Sequence, residues 1–127
     1  MTIRKSAEDY LESVLILHER IGQVRSIDIV NEMEVTKPSV SIAMKKLREN
    51  GYILTDRDGY ITLTETGQEI ASRIYERHKV LTAWLISIGV DGETAAADAC
   101  KIEHDLSDQT FAKIKEHIEN TQALKRG

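Results

Sequence analysis

The sequence predicts a mainly α-helical fold with a small β wing: a winged helix-turn-helix domain over residues 1–64, then an all-helical domain over residues 65–127. Three observations predict it. Apolar residues recur at helical spacing along most of the chain, two short helical segments lie three residues apart, and an Asp-Gly turn between two β-prone stretches follows them.

The first helix is expected from Ser6 to Ile21, with Ser6 as N-cap and Gly22 as its stop. Tyr10, Leu11, Val14, Leu15, Leu17, His18 and Ile21 share one broad arc of its wheel, the stripe of a core-facing helix. Asp9 and Glu12 lie off that arc, about 60° apart with Ile16 between them. An apolar residue beside two carboxylates implies that this face is covered too.

Short helices follow from Ser26 to Met33 and from Lys37 to Asn50, the latter with Thr36 as N-cap and Pro38 in its first turn, where the missing N–H costs nothing. Two helices joined so tightly form a helix-turn-helix. Tyr52–Thr55 and Tyr60–Thr64 read as strands flanking Asp56-Arg57-Asp58-Gly59, whose Asp-Gly pair suits a tight hairpin turn. The longest helix runs from Glu65 to about Ile88, with Ile70, Ile74, Leu81, Leu85 and Ile88 along one side and Gly89 as its stop. Two more are expected, Gly92–Leu106 and Asp108–Leu124, the last carrying Phe111, Ile114 and Ile118 on one side.

With 41% hydrophobic and 30% charged residues, the chain has the composition of a folded protein and not of a disordered one. No run approaches the roughly eighteen apolar residues of a membrane span, so no membrane partner is expected. A lone cysteine, Cys100, leaves no intrachain disulfide, which suits a cytoplasmic, reducing setting. The net charge of −4 argues against indiscriminate nucleic-acid coating. Distribution matters more than the sum: between Thr36 and Arg48 stand Lys37, Lys45, Lys46 and Arg48 and no acid. On the second helix of a helix-turn-helix, such a stretch is more than a solvated face. The start of that helix would enter a major groove, where Ser39 and Ser41 can hydrogen-bond base edges or phosphates and Lys37 can reach phosphate or guanine. Arg57, at the wing tip, can reach backbone or minor groove. The candidate DNA-facing set is Arg25, Ser26, Thr36, Lys37, Pro38, Ser39, Ser41, Ile42, Lys45, Lys46 and Arg57.

The helix expected at Gly92–Leu106 carries Cys100, Glu103 and His104 on one face, between an apolar face (Ala95, Ala99, Ile102, Leu106) and a charged one (Asp98, Lys101, Asp105). A thiolate, a carboxylate and an imidazole at spacings of three and four can share one ion, and small Ala96 and Ala97 leave room for another helix. Asp9, Glu12 and His78 are the completing candidates. Taken singly, each has a plainer reading: a packed histidine, first-turn acids facing the helix dipole, a small buried thiol. Together they suit Fe(II), Mn(II), Co(II) or Zn(II) and suit Ca(II) or Mg(II) poorly.

Ala-Glu-Asp-Tyr-Leu-Glu (7–12), Val-Thr-Lys-Pro-Ser-Val-Ser (35–41), Thr-Glu-Thr-Gly (64–67), Arg77-His78 and Cys-x-x-Glu-His (100–104) resemble the DtxR/MntR family of metal-dependent repressors over essentially the whole chain. The resemblance implies a non-enzymatic transcriptional repressor that binds a palindromic double-stranded operator as a homodimer. It implies Asp9, Glu12, His78, Cys100, Glu103 and His104 as metal ligands, Thr36, Pro38 and Ser39 facing DNA, and no organic cofactor. Fe(II) or Mn(II) is the implied ion, with Zn(II), Co(II) or Ni(II) as substitutes in vitro. Asp9 resembles the manganese type and Cys100 the iron type; the softer thiolate tilts the balance to Fe(II). No carboxylate at position 100 is present to bridge two ions, and Thr82 and Ala96 stand where the iron type carries second-site ligands. Ile42 replaces a polar base-reading residue of the iron type with a side chain suited to a thymine methyl. The SH3-like third domain of longer members is not expected. Two other readings stay open from the residues alone: a winged-helix repressor sensing a small organic ligand, and a winged-helix interaction module. A metallohydrolase is disfavoured, since there is no H-E-x-x-H.

Overall fold

A computed structural model describes residues 5–126. The elements are α1 (Lys5–Ile21), α2 (Ser26–Met33), α3 (Lys37–Glu49), β1 (Ile53–Thr55), β2 (Ile61–Leu63), α4 (Glu65–Ser87), α5 (Gly92–Ile102) and α6 (Asp108–Arg126). The chain divides into two compact units, Met1–Arg73 and Ile74–Gly127, with the division falling inside α4.

In the first unit α1 packs against α2, α3 and β2, and α3 against β1. Leu11, Val14, Leu15 and Leu17 of α1 are buried, as their stripe requires. His18 and Ile21, expected on that stripe, are exposed, because the helix outruns the core at its last turn. The acidic side is buried as well: Glu8, Glu12 and Ser13 are each at most 8% exposed. Glu8 Oε2 lies 3.4 Å from Arg73 Nη2. Ser6, expected as N-cap, is already helical. α2 and α3 follow the expected bounds within a residue, and Glu34, in the left-handed region at φ 54°, makes the bend between them.

β1 and β2 pair antiparallel, Ile53 opposite Leu63 and Thr55 opposite Ile61, and Ile61 N–H donates to the Val24 carbonyl at 2.7 Å, tying the wing to the helices. The hairpin closes in a tight turn on the Asp58-Gly59 pair, as expected, with a three-residue loop. Asp56 N–H donates to Tyr60 O (3.0 Å), Gly59 N–H donates to Asp56 O (3.1 Å), and of the loop residues 57–59 only Gly59 has positive φ, at 85°. A two-residue type I′ turn needs two positive φ angles, whereas a three-residue loop closed by one left-handed glycine needs one. Asp56 decides between them, since its Oδ1 accepts the N–H groups of Asp58 and Tyr60, both at 2.9 Å.

Thr64 caps α4: its Oγ1 accepts the Gly67 N–H (3.1 Å) and donates to the Gly51 carbonyl (2.7 Å). Gly67 is buried against the wing strand, and a Cβ built on it would stand 2.0 Å from the Tyr52 carbonyl oxygen. The Thr-Glu-Thr-Gly motif is thus a structural joint.

In the second unit Leu81, Ala99 and Phe111 form the core, with Val80, Trp84, Leu106 and Ile114 packed against it. Ile88, expected on the apolar side of α4, lies past the helix end and is 61% exposed. Asp91 caps α5: its carboxylate accepts from the Thr94 hydroxyl (2.6 Å) and the Thr94 N–H (3.0 Å), which holds its pKa below the usual carboxylate value. α5 stops at Ile102 and not at Leu106. Arg77 Nη1 donates to the carbonyls of Glu103 (3.1 Å) and Leu106 (2.6 Å), and Ser107 caps α6 through its Oγ on the Thr110 N–H. The guanidinium takes the place of further helical turns. No helix among the described residues is long and apolar enough to cross a membrane.

Candidate nucleic-acid interface and metal centre

α3 has one inner and one outer face. Val40, Met44 and Leu47, at spacings of four and three, are buried. Thr36, Lys37, Pro38, Ser39, Ser41, Ile42, Lys45 and Lys46 are all exposed, so the expected DNA-facing residues of this element share the solvent side. Thr36 organises its start: Oγ1 accepts the Ser39 N–H at 3.2 Å and donates to Ser39 Oγ at 2.8 Å. We predict that Thr36→Ala lowers unfolding free energy by about 0.5–2 kcal/mol through loss of this cap. A urea midpoint equal to wild type would show that the cap contributes nothing.

Arg25 and Ser26 are exposed at the start of α2. The Arg25 backbone N–H donates to Asp28 Oδ2 at 2.9 Å, and its guanidinium lies 4.3 Å from the Tyr60 ring centroid, within cation–π range. Arg57 is exposed in the hairpin loop. Helix start, recognition helix and wing therefore present cations with hydroxyls between them, the chemistry that phosphates and base edges accept.

The metal candidates are distributed over both units. In the first, α1 carries Asp9, partly exposed, and Glu12, buried. In the second, α4 carries His78, α5 ends with Cys100, and Glu103 and His104 occupy the turn after Ile102. Glu103 keeps its helical relation to Cys100, because its N–H still bonds the Ala99 carbonyl at 3.0 Å. The fold places Glu103 at the centre of the second unit's set. Its carboxylate is fully buried, with Oε2 2.9 Å from His78 Nδ1, Oε1 3.4 Å from His104 Nε2, and Cys100 Sγ within 4.8 Å of a carboxylate oxygen.

Among the described residues Glu103 Oε1 accepts no hydrogen bond. A buried carboxylate oxygen left so is costly unless a cation meets it. Imidazole, thiol and carboxylate donors around it match the ligand preferences of first-row transition ions, so the residues present fit such an ion.

Arg77 has a role that the sequence alone does not reveal. It is buried, holds the Glu103 and Leu106 carbonyls, pairs with Asp108 Oδ1 at 2.5 Å and lies 5.1 Å from the Phe111 ring centroid. It thereby sets the turn that carries Glu103 and His104. The one signal available was its place beside His78 in a shared motif.

Two family descriptions match this chain: "Iron dependent repressor, N-terminal DNA binding domain" over residues 2–61, and "Iron dependent repressor, metal binding and dimerisation domain" over residues 64–126. An uncharacterized HTH-type transcriptional regulator of Methanocaldococcus jannaschii is 34% identical over 117 residues, covering 91% of this chain and 94% of that protein. The HTH-type transcriptional regulator MntR of Bacillus subtilis is 33% identical over 114 residues, covering 90% of this chain and 80% of MntR. Among solved structures, the manganese regulator SloR superposes with a TM-score of 0.80 at 29% identity, covering 94% of this chain and 55% of that one. A manganese-dependent transcriptional repressor in complex with manganese gives 0.81 at 26% identity, covering 89% and 52%. The chain thus spans about half the length of these two solved chains.

Proposed function

Because this chain belongs to the iron-dependent repressor family and is a metal-dependent, DNA-binding transcriptional repressor with that family's dimerisation domain, we propose a division of labour among its own residues. Residues 1–64 form the operator-binding domain and residues 65–127 the dimerisation domain that carries most of the metal ligands. Asp9, Glu12, His78, Cys100, Glu103 and His104 are the metal ligands. Arg25, Ser26, Thr36, Lys37, Pro38, Ser39, Ser41, Ile42, Lys45, Lys46 and Arg57 face a palindromic operator, and the protein works in the cytoplasm. The observation that carries the metal assignment is the fully buried Glu103 carboxylate, bracketed by His78 and His104 with one oxygen accepting no hydrogen bond.

When bound, a divalent ion supplies a positive centre that carboxylates, imidazoles and a thiolate can share. Two solved relatives named for manganese support Mn(II), and the thiol of Cys100 supports Fe(II). Zn(II), Co(II) and Ni(II) are expected to occupy the same donors in vitro. Glu103 and His104 hold position because Arg77 fixes their turn. Asp9 and Glu12 are the groups through which α1, and with it the helix-turn-helix, answers to occupancy. A twofold dimer must present two α3 helices about 34 Å apart, one DNA turn, so a small angular error keeps the second from docking.

Operator binding should therefore tighten about 5- to 150-fold between chelator and saturating metal, the span of a coupling of about 1–3 kcal/mol, and DNA should tighten metal binding by the same factor. Fluorescence anisotropy on a duplex selected from random sequence, titrated anaerobically with Fe(II), Mn(II) and Zn(II) in turn, measures this. Equal affinity with chelator and with every ion would overturn the reading.

A further inference from the structure

Arg25 carries its charge differently from Arg20, Arg73 and Arg77. Each of those three meets a carboxylate, of Glu32, Glu8 and Asp108 in turn. Arg25 is exposed at the start of α2 and forms no ion pair among the described residues; its guanidinium lies over the Tyr60 ring, 4.3 Å from the centroid. Asp28, the nearest acid along the chain, accepts the Arg25 backbone N–H on Oδ2 at 2.9 Å. The ring beneath the cation is fixed by its backbone. The Ile61 N–H donates to the Val24 carbonyl at 2.7 Å, which seats Tyr60 beside Arg25, and both Val24 and Ile61 are buried. The Tyr60 N–H donates to Asp56 Oδ1 at 2.9 Å, and its carbonyl accepts the Asp56 N–H at 3.0 Å. A guanidinium held by a π face, unlike one held by a carboxylate, keeps its N–H donors free of a competing acceptor.

We propose that Tyr60 is a positioning residue for operator binding, a platform that holds the Arg25 guanidinium ready for one backbone phosphate in each half-site; this rests on the repressor reading above. The planar fork of donors matches two oxygens of a single phosphate. Such a contact carries no base information and fixes the register of the protein on the duplex. A freely moving arginine loses rotamer freedom when it meets a phosphate, whereas one already held on a ring loses less. The gain is bounded by the strength of the hold, and an exposed cation–π contact corresponds to about two- to five-fold in affinity for each half-site. Because Tyr60 stands at the start of β2 and Arg25 at the start of α2, the wing thereby sets a contact made by the helix-turn-helix.

The test uses the intact repressor at saturating metal and constant salt on the selected duplex. Tyr60→Leu should weaken operator binding about 5- to 30-fold, the product of two half-sites. Tyr60→Phe keeps the ring and should bind like wild type. Tyr60→Trp offers the strongest π face and should bind at least as tightly, an outcome that damage to the wing cannot mimic. In an Arg25→Ala background, itself weakened, Tyr60→Leu should add little, because the two residues act as one unit. Replacing phosphates in turn by uncharged methylphosphonate should reveal one position per half-site that weakens wild type, scarcely affects Arg25→Ala and has an intermediate effect on Tyr60→Leu. Metal affinity measured by calorimetry without DNA should be the same across the Tyr60 series. If Tyr60→Leu binds like wild type, or weakens binding equally with and without Arg25, the proposal is wrong and the repressor reading stands. If no duplex is bound at any metal concentration, the repressor reading itself has failed, and the proposal with it.

Discussion

Replacing Glu103 by glutamine is expected to abolish metal-dependent operator binding while leaving the metal-free protein at least as stable as wild type. The two effects have opposite signs for one reason. The Glu103 carboxylate is fully buried, with His78 on one oxygen and no hydrogen bond accepted by the other. Glutamine keeps the shape and can still bond His78, but removes a buried charge whose desolvation weighs against the folded state. The metal-free melting temperature should hold or rise. With metal, wild type gains about 2.7 kcal/mol at a hundred-fold excess over Kd. Glu103→Gln should lose most of that gain, with metal affinity reduced at least about 100-fold, the upper end of what loss of a group merely supporting a ligand costs. Calorimetric titration and thermal melts with and without Mn(II) read both. Glu103→Gln binding metal as tightly as wild type would remove Glu103 from the ligand set.

Gly67→Ala should be the most damaging single-methyl change in the DNA-binding half. Alanine normally improves a helix over glycine by about 1 kcal/mol. Here the sign reverses, because the new Cβ would stand 2.0 Å from the Tyr52 carbonyl oxygen. That carbonyl cannot retreat cheaply, since it accepts the Thr64 N–H at 3.0 Å while the Tyr52 N–H donates to Leu47 at 2.9 Å. Overpacking typically costs about 1–3 kcal/mol, and a backbone-on-backbone clash belongs at or above the top of that range. A melting temperature lower by roughly 10 °C is expected. Operator affinity should fall with it, because Tyr52 links the end of α3 to the wing. Thr66→Ala, one residue earlier and exposed, is the control and should change little. A Gly67→Ala melt within a degree of wild type would contradict the close approach.

Periodicity, caps and turn residues act within one or two turns, so the sequence by itself determined the helix-turn-helix, the wing, the Thr36 cap and the buried rows of α1 and α3. It also determined the chemical membership of the candidate metal set, since Cys100, Glu103 and His104 fall at helical spacing whatever else the chain does. Tertiary structure decided what depends on distant groups. Arg77, more than twenty-five residues upstream of the carbonyls it caps, ends α5 at Ile102 and sets the turn carrying Glu103 and His104. The Tyr52 carbonyl, fifteen positions before Gly67, makes that glycine obligatory. In each case a backbone polar group found its partner across the fold instead of along the chain, and local patterns cannot foresee a bond whose two ends only folding brings together.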